Sequence, residues 1–225
     1  MRQWKWERIY MLAAAVCLMG IMAPAQGQMP EGKPSPAEAL EMLKAGNARF
    51  VAEESMQPNT AVERRAQAAA ADQGNYAYAT ILSCADSRVP VEHIFDAGVM
   101  DLFVLRVAGN VADENEIGTA EYGLGYVHTP LLVVMGHTGC GAVKAVKGVL
   151  EGSDARFERN IPKLVDTIIP PVQATLDAME DATDDEKVNA AIEANVWKSV
   201  EDIFAESPAI RTHVKEGRAM VVGAV

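Results

Sequence analysis

Hydrophobic positions along the chain follow two rhythms. Unbroken apolar runs at Ala79-Thr80-Ile81-Leu82, within Asp101–Val107, at Leu131–Met135 and at Ala219–Ala224 lack polar alternation, the mark of strands covered on both faces. Between them, apolar residues recur at helical spacing. Leu40, Leu43 and Phe50 share one face of a segment starting at Ala37, with Gly46-Asn47 expected to interrupt it. Residues 61–72, Pro90–Phe95, Glu114–Val127 and the stretch from Gly141 to about Leu150 supply further helices. Ile161, Leu164, Val165, Ile168 and Ile169 mark a helix expected to stop at Pro170-Pro171. Val188, Ile192, Val196, Val200, Ile203 and Phe204 mark a long one. Strands alternating with helices predict an α/β fold, an open, mainly parallel β-sheet flanked by helices on both faces. If strands one and three are neighbours with strand two outside strand one, strand order reverses between the ends of the first and third strands. Open α/β sheets bind ligands at such a point.

The N-terminus has a different pattern. Arg2, Lys5 and Arg8 precede an apolar run, Ile9–Met22, and Ala23-Pro24-Ala25 then offers a cleavage site. The run is shorter than the ~20 residues that cross a bilayer. Residues 1–25 therefore read as a secretory signal peptide, with an uncleaved anchor as the alternative. The expectation is an exported, periplasmic protein whose residues 26–225 form a single domain. Formal net charge is −11. Cleavage would make it more negative, since the leader carries Arg2, Lys5 and Arg8 against Glu7. Such a surface repels nucleic acid and anionic membrane, which leaves a small molecule as the expected partner.

Of the three cysteines, Cys17 lies in the leader, so Cys84 and Cys140 remain after export. Two cysteines in an exported protein are by default a disulfide. Their surroundings favour a metal instead. Cys84 ends the first strand, and the third strand runs into Gly136-His137-Thr138-Gly139-Cys140-Gly141. Cys84, His137 and Cys140 together make a three-ligand zinc set with one coordination position left for water, the pattern of a catalytic site. With 49% hydrophobic residues the chain has little need of a covalent staple. Cys140 stands where a helix begins, so the helix amides should lower its thiol pKa. Gly139 and Gly141 allow a tight turn there.

Asp86 and Arg88 follow Cys84 closely. An ionised carboxylate only accepts hydrogen bonds, so Asp86 can orient a zinc-bound hydroxide, and Arg88 is its natural charge-assisted partner. Asp86 could alternatively swing onto zinc as a fourth ligand and switch the site off. Without the neighbouring Cys the same triplet would read as a surface turn. His93 is a candidate proton relay, although a helix histidine is more often packed or solvated. His128 and His213 have no supporting constellation, and Trp197 reads as core or interface.

At these residues the chain resembles the beta-class carbonic anhydrases. The resemblance is carried by Cys84-Ala85-Asp86-Ser87-Arg88, Asp101-Leu102-Phe103-Val104, Ala108-Gly109-Asn110, Glu121-Tyr122 and Gly136-His137-Thr138-Gly139-Cys140-Gly141, with Gly46-Asn47-Ala48-Arg49-Phe50 upstream. It implies zinc-dependent, reversible hydration of carbon dioxide to bicarbonate and a proton. The implied ligands are Cys84, His137 and Cys140, with Asp86 and Arg88 as the catalytic dyad. It also implies a homodimer, or a dimer of dimers, with the cleft at the subunit boundary. Phe103, Tyr122, Asn75 and Gly139 fall at positions of the substrate pocket, the two aromatics facing it from a partner chain. Asn75 departs from the Gln often found nine residues before the first Cys, and Gly123 from an Ala after Glu-Tyr. Ile81 stands where one regulated subclass has Trp, so inhibition through that subclass's noncatalytic bicarbonate site is not expected. The same constellation could instead hydrolyse carbon disulfide or carbonyl sulfide. The reading that stands outside this chemistry is a noncatalytic module stabilised by zinc or a disulfide.

Overall fold

The structure is a computed structural model describing residues 32–154 and 156–225. The signal-peptide expectation for residues 1–25 therefore lies outside the described residues. Four parallel strands form one sheet: β1 (Ala79–Cys84), β2 (Leu102–Val107), β3 (Leu131–Met135) and β4 (Met220–Ala224). Their order is β2-β1-β3-β4, with Thr80 opposite both Phe103 and Leu132, and Val133 opposite Val222. Strand order thus reverses between β1 and β3, as expected.

Side-chain alternation splits the core into two layers. Ala79, Ile81, Leu131, Val133 and Met135 face α1 (Pro36–Val51), α3 (Val91–Ile94), α5 (Gly141–Leu150) and α7 (Ile169–Ala178). Leu82, Leu105, Leu132 and Val134 face α4 (Glu114–Gly125) and α9 (Pro208–Lys215). The long α8 (Asp184–Glu206) serves both: Val188, Ala191 and Ile192 join the first layer, and Val196, Val200 and Ile203 the second. The shorter helices α2 (Val62–Ala68) and α6 (Ile161–Val165) complete the set. Every residue of β1 and β3 is buried, which is why neither strand alternates in sequence.

Three helix expectations are corrected. Gly46-Asn47 does not interrupt α1; a β-carbon at Gly46 would lie 1.9 Å from the Phe95 carbonyl oxygen, so glycine permits close packing there. The adjacent Asn47 Nδ2 donates to the Ile94 carbonyl at 3.2 Å. Pro170-Pro171 does not stop a helix but occupies the first turn of α7, where the missing N–H groups cost nothing. The helix begun at Ile161 ends earlier, at Val165. Finally, α9 was not expected: Ser207 ends α8 and also caps α9 by accepting from Ile210 N, with Pro208 at the first position. No helix among the described residues is long and apolar enough to cross a membrane.

Candidate metal centre

Cys84 is the last residue of β1, and His137 lies just past the end of β3. Because Ser83 pairs with Met135 in parallel register, both residues emerge at the same end of the sheet. Cys140, the N-cap of α5, returns the chain to that spot. The ligand atoms of Cys84, His137 and Cys140 all lie within 4.8 Å of one another, and all three residues are buried. Among the described residues no other group of three or more His, Cys, Asp or Glu is placed to hold a metal. Cys84 and Cys140 are unbonded to one another in this structure.

The donor atoms are set for a soft cation. Cys84 Sγ accepts from Cys140 and from the Gly109 amide at 3.3 Å. The hydrogen bond from Cys140 is the main reason the Cys84 thiol falls to about 4. Cys140 is pushed up, first because its proton is shared with Cys84 and then by burial. This corrects the expectation for Cys140: the amides of Val143 and Ala142 do lower its pKa, but the neighbouring thiolate outweighs them. A metal bound here would displace the thiol proton, since both sulfurs ligate as thiolates. His137 Nδ1 lies 3.1 Å from the Thr138 carbonyl, an acceptor that assigns the ring proton to Nδ1. Among the described residues, His137 Nε2 is buried and meets no hydrogen-bond partner. A buried lone pair of that kind is costly unless something binds it, and two thiolates with one imidazole suit zinc. The residues present fit the metal.

Asp86 adjoins this cluster, its Oδ2 3.8 Å from His137 Nε2. Arg88 holds it in a fork: Nε donates to Oδ1 at 2.9 Å, Nη2 to Oδ2 at 2.6 Å, and the backbone N–H to Oδ1 at 3.0 Å. These bonds keep the Asp86 carboxyl well below the usual carboxylate range, and Asp86 in turn raises Arg88. Asp86 is thus paired with Arg88 rather than turned inward as a fourth ligand. Arg88 Nη2 also donates to the Gly139 carbonyl at 3.0 Å, tying the loop after β1 to the loop after β3. Gly139 has φ +68°, a left-handed conformation that most side chains disfavour.

Supporting residues that sequence reasoning missed surround these loops. Arg106, on β2, donates from Nε to the Cys84 carbonyl at 3.1 Å and from Nη2 to the Asp86 carbonyl at 2.6 Å. A cation inside an apolar strand was the available signal. Gly109, at φ +74°, turns its N–H toward Cys84. Asn195 Nδ2 donates to the Gly109 carbonyl at 2.7 Å, and Ser199 Oγ to the Asn110 carbonyl at 2.9 Å, both from buried positions on α8. Nothing in the local sequence links α8 to that turn.

The remaining expected site residues are not gathered here within one chain. Phe103 is in register with Thr80, near the opposite end of β1 from Cys84. Its ring lies 6.0 Å from that of Tyr122, which stacks at 5.2 Å on Tyr126. Tyr122 and Tyr126 are 51% and 74% exposed. Asn75 is exposed in a 3₁₀ turn before β1, and His93 is exposed on α3.

A family model described as carbonic anhydrase matches residues 79–225. Carbonic anhydrase from Mycolicibacterium smegmatis is 41% identical over 133 residues, which cover 58% of this chain and 63% of that protein. Carbonic anhydrase 2 from Mycobacterium tuberculosis is 37% identical over 194 residues, 84% of this chain and 87% of the relative. The chain therefore spans somewhat under two thirds of the first relative and most of the second. Among solved structures, the beta-carbonic anhydrase CcaA superposes with a TM-score of 0.63 at 21% identity, covering 83% of this chain and 79% of that one. One of two tetrameric beta-carbonic anhydrases from Sordaria macrospora gives 0.63 at 19%, covering 83% and 90%. At those identities the likeness shows the fold. With the sheet, the Cys-His-Cys cluster and the sequence relatives in agreement, the chain belongs to the beta-class carbonic anhydrase family.

Proposed function

We propose that this protein catalyses the reversible hydration of carbon dioxide to bicarbonate and a proton, using zinc held by Cys84, His137 and Cys140. The observation that carries the reading is the orphaned His137 Nε2 converging with two thiols beside an Asp86 carboxylate locked by Arg88. Zinc bound there supplies the Lewis acidity that makes water a nucleophile near neutral pH, as known for carbonic anhydrase itself on a three-histidine site.

The chain's own residues supply the rest. Asp86, kept ionised by Arg88, offers only acceptor oxygens. Water adding to carbon dioxide must therefore turn a proton toward Asp86 Oδ2 and a lone pair toward carbon. Arg88 prevents the carboxylate from rotating, because both oxygens are engaged by one rigid guanidinium. Arg106 fixes the backbone on either side of Ala85, which sets the distance between ligand Cys84 and Asp86. Burial of all three ligand residues keeps bulk water from competing for the donor atoms.

The pocket and its setting are parts of the same proposal. Phe103 and Tyr122 serve as apolar walls for the uncharged substrate of a second copy, with Asn75 and Gly139 helping to position it. The exposed aromatic stack supports this, as does the tetrameric state of the Sordaria macrospora enzymes. Residues 1–25 act as an export signal to the periplasm, a reading supported by the basic start, the short apolar run and the Ala-x-Ala site.

A stopped-flow pH-indicator assay on wild type and Asp86→Asn tests the reaction. The variant should keep its zinc and lose at least about 10²-fold in turnover. Unchanged turnover would remove the role of Asp86. Turnover of carbonyl sulfide or carbon disulfide without carbon dioxide hydration would reassign the substrate.

A further inference from the structure

A product that changes charge needs a way out, and the rim of the metal centre holds a feature the reaction has not used. A β-carbon placed on Gly139 would meet Arg88 Nη1 at 3.5 Å and Lys144 Nζ at 3.7 Å, and nothing else beyond its chain neighbours within 4 Å. The absent side chain thus leaves a notch walled by two cationic nitrogens. Arg88 Nε and Nη2 are committed to Asp86 and the Gly139 carbonyl, while Nη1 donates to no protein group among the described residues. Lys144, exposed on the first turn of α5, has no carboxylate or carbonyl partner among the described residues. Arg88 is itself 61% exposed, so the notch opens to solvent.

Charge makes the notch distinctive. The Asp86–Arg88 pair cancels, and two thiolates cancel a divalent cation, so Lys144 supplies the net charge at the mouth. The chain as a whole carries −11, a field that repels small anions. We infer that the Gly139 notch is a docking point for bicarbonate, which accepts hydrogen bonds there from Arg88 Nη1 and Lys144 Nζ as it leaves the metal centre or enters it for dehydration. This rests on the proposed reaction and adds Lys144 to it as a positioning residue for the charged partner alone.

The overall equilibrium constant fixes the ratio of kcat/KM in the two directions, so a residue that grips only bicarbonate cannot alter that ratio. It must appear instead in binding. In Lys144→Gln the KM for bicarbonate and the constant for product inhibition by bicarbonate should rise together by about fivefold, the weight of one unit charge near 4 Å in water. The KM for carbon dioxide should not move. Lys144→Arg should restore both constants, Lys144→Glu should raise them further, and added salt should narrow the gap between wild type and Lys144→Gln. Glutamine is nearly as good a helix former as lysine, so α5 is not at risk. Lys163→Gln, another exposed site, serves as the control for general surface charge.

A second readout needs no turnover. Calorimetric titration of bicarbonate, with both solutions pre-equilibrated with carbon dioxide so that no net reaction occurs, should give a dissociation constant about fivefold weaker in zinc-loaded Lys144→Gln than in zinc-loaded wild type. Equal constants in both proteins, by kinetics and by titration, overturn the inference. An inactive wild type would refute the proposed reaction, while the titration would still decide the notch.

Discussion

Asn195→Ala probes how a helix far along the chain sets the chemistry at Cys84. Asn195 is 1% exposed, and its amide donates to the Gly109 carbonyl at 2.7 Å. The same glycine gives its N–H to Cys84 Sγ. Truncation removes one buried hydrogen bond, worth about 1 kcal/mol, and strands a buried carbonyl, which adds about 1–3 kcal/mol. The total of about 2–4 kcal/mol is a sizeable part of the 5–15 kcal/mol typical of a folded domain. For a domain of this size it should lower Tm by roughly 10 °C. Freeing the turn also weakens the N–H···S contact that orients one ligand, so zinc affinity should fall by about 10–100-fold. Thermal melts in buffered zinc read the first effect. Competition against a chelator, run well below the transition, reads the second. Ser199→Ala, which frees the neighbouring Asn110 carbonyl, should show the same signs at smaller size. An Asn195→Ala protein with wild-type Tm and wild-type zinc affinity would refute the coupling between α8 and the metal centre.

Two pH predictions follow, one from the charge of the zinc site and one from a raised carboxyl on α4. Two thiolates and a neutral imidazole give the zinc site no net charge, unlike the three-histidine carbonic anhydrase whose zinc water titrates near ~7. Hydration rate should therefore keep climbing above neutrality, and a pH–rate profile already flat from about pH 6 would contradict this. Glu116 is raised from 4.5 to about 7, first by burial and then by its hydrogen bond to Asp113. An acid whose pKa rises on folding loses stability as pH climbs through that window, because the unfolded chain releases its proton first. The opposite shift of Asp113 acts at lower pH, outside it. Melting temperature should thus decline less for Glu116→Gln than for wild type between pH 4.5 and about 7; parallel declines would refute the assignment.

Much of this architecture was legible because burial on both faces leaves a plain signature. The apolar runs of β1 and β3 located the strands, and the strand order inferred from them was the one that brings Cys84 beside His137. The convergence of Cys84, His137 and Cys140, with the Asp86–Arg88 pair beside them, was legible because these residues lie close in sequence at two strand ends. What escaped depended on contacts between distant segments. Arg106, Asn195 and Ser199 act through backbone carbonyls, which any polar residue could in principle reach. For Cys140 the helix amides lower the thiol pKa as their position implies, while the nearby Cys84 and burial, which depend on a distant strand, raise it. Pro170-Pro171 was misread because proline disfavours a helix interior yet suits its first turn, and local sequence does not say which side of a boundary it is on. Phe103, Tyr122 and Asn75 lie away from Cys84, His137 and Cys140 within one chain, a separation that local sequence does not reveal.

The central claim is that two sulfurs and one imidazole hold zinc, and X-ray absorption at the zinc edge of the purified active protein addresses it directly. The spectrum should show two sulfur scatterers at about 2.3 Å and one imidazole nitrogen at about 2.0–2.1 Å, with a further light atom completing four-coordination. A protein that contains no zinc, with Cys84 and Cys140 joined as a disulfide, or a zinc site built from oxygen and nitrogen alone, would contradict it.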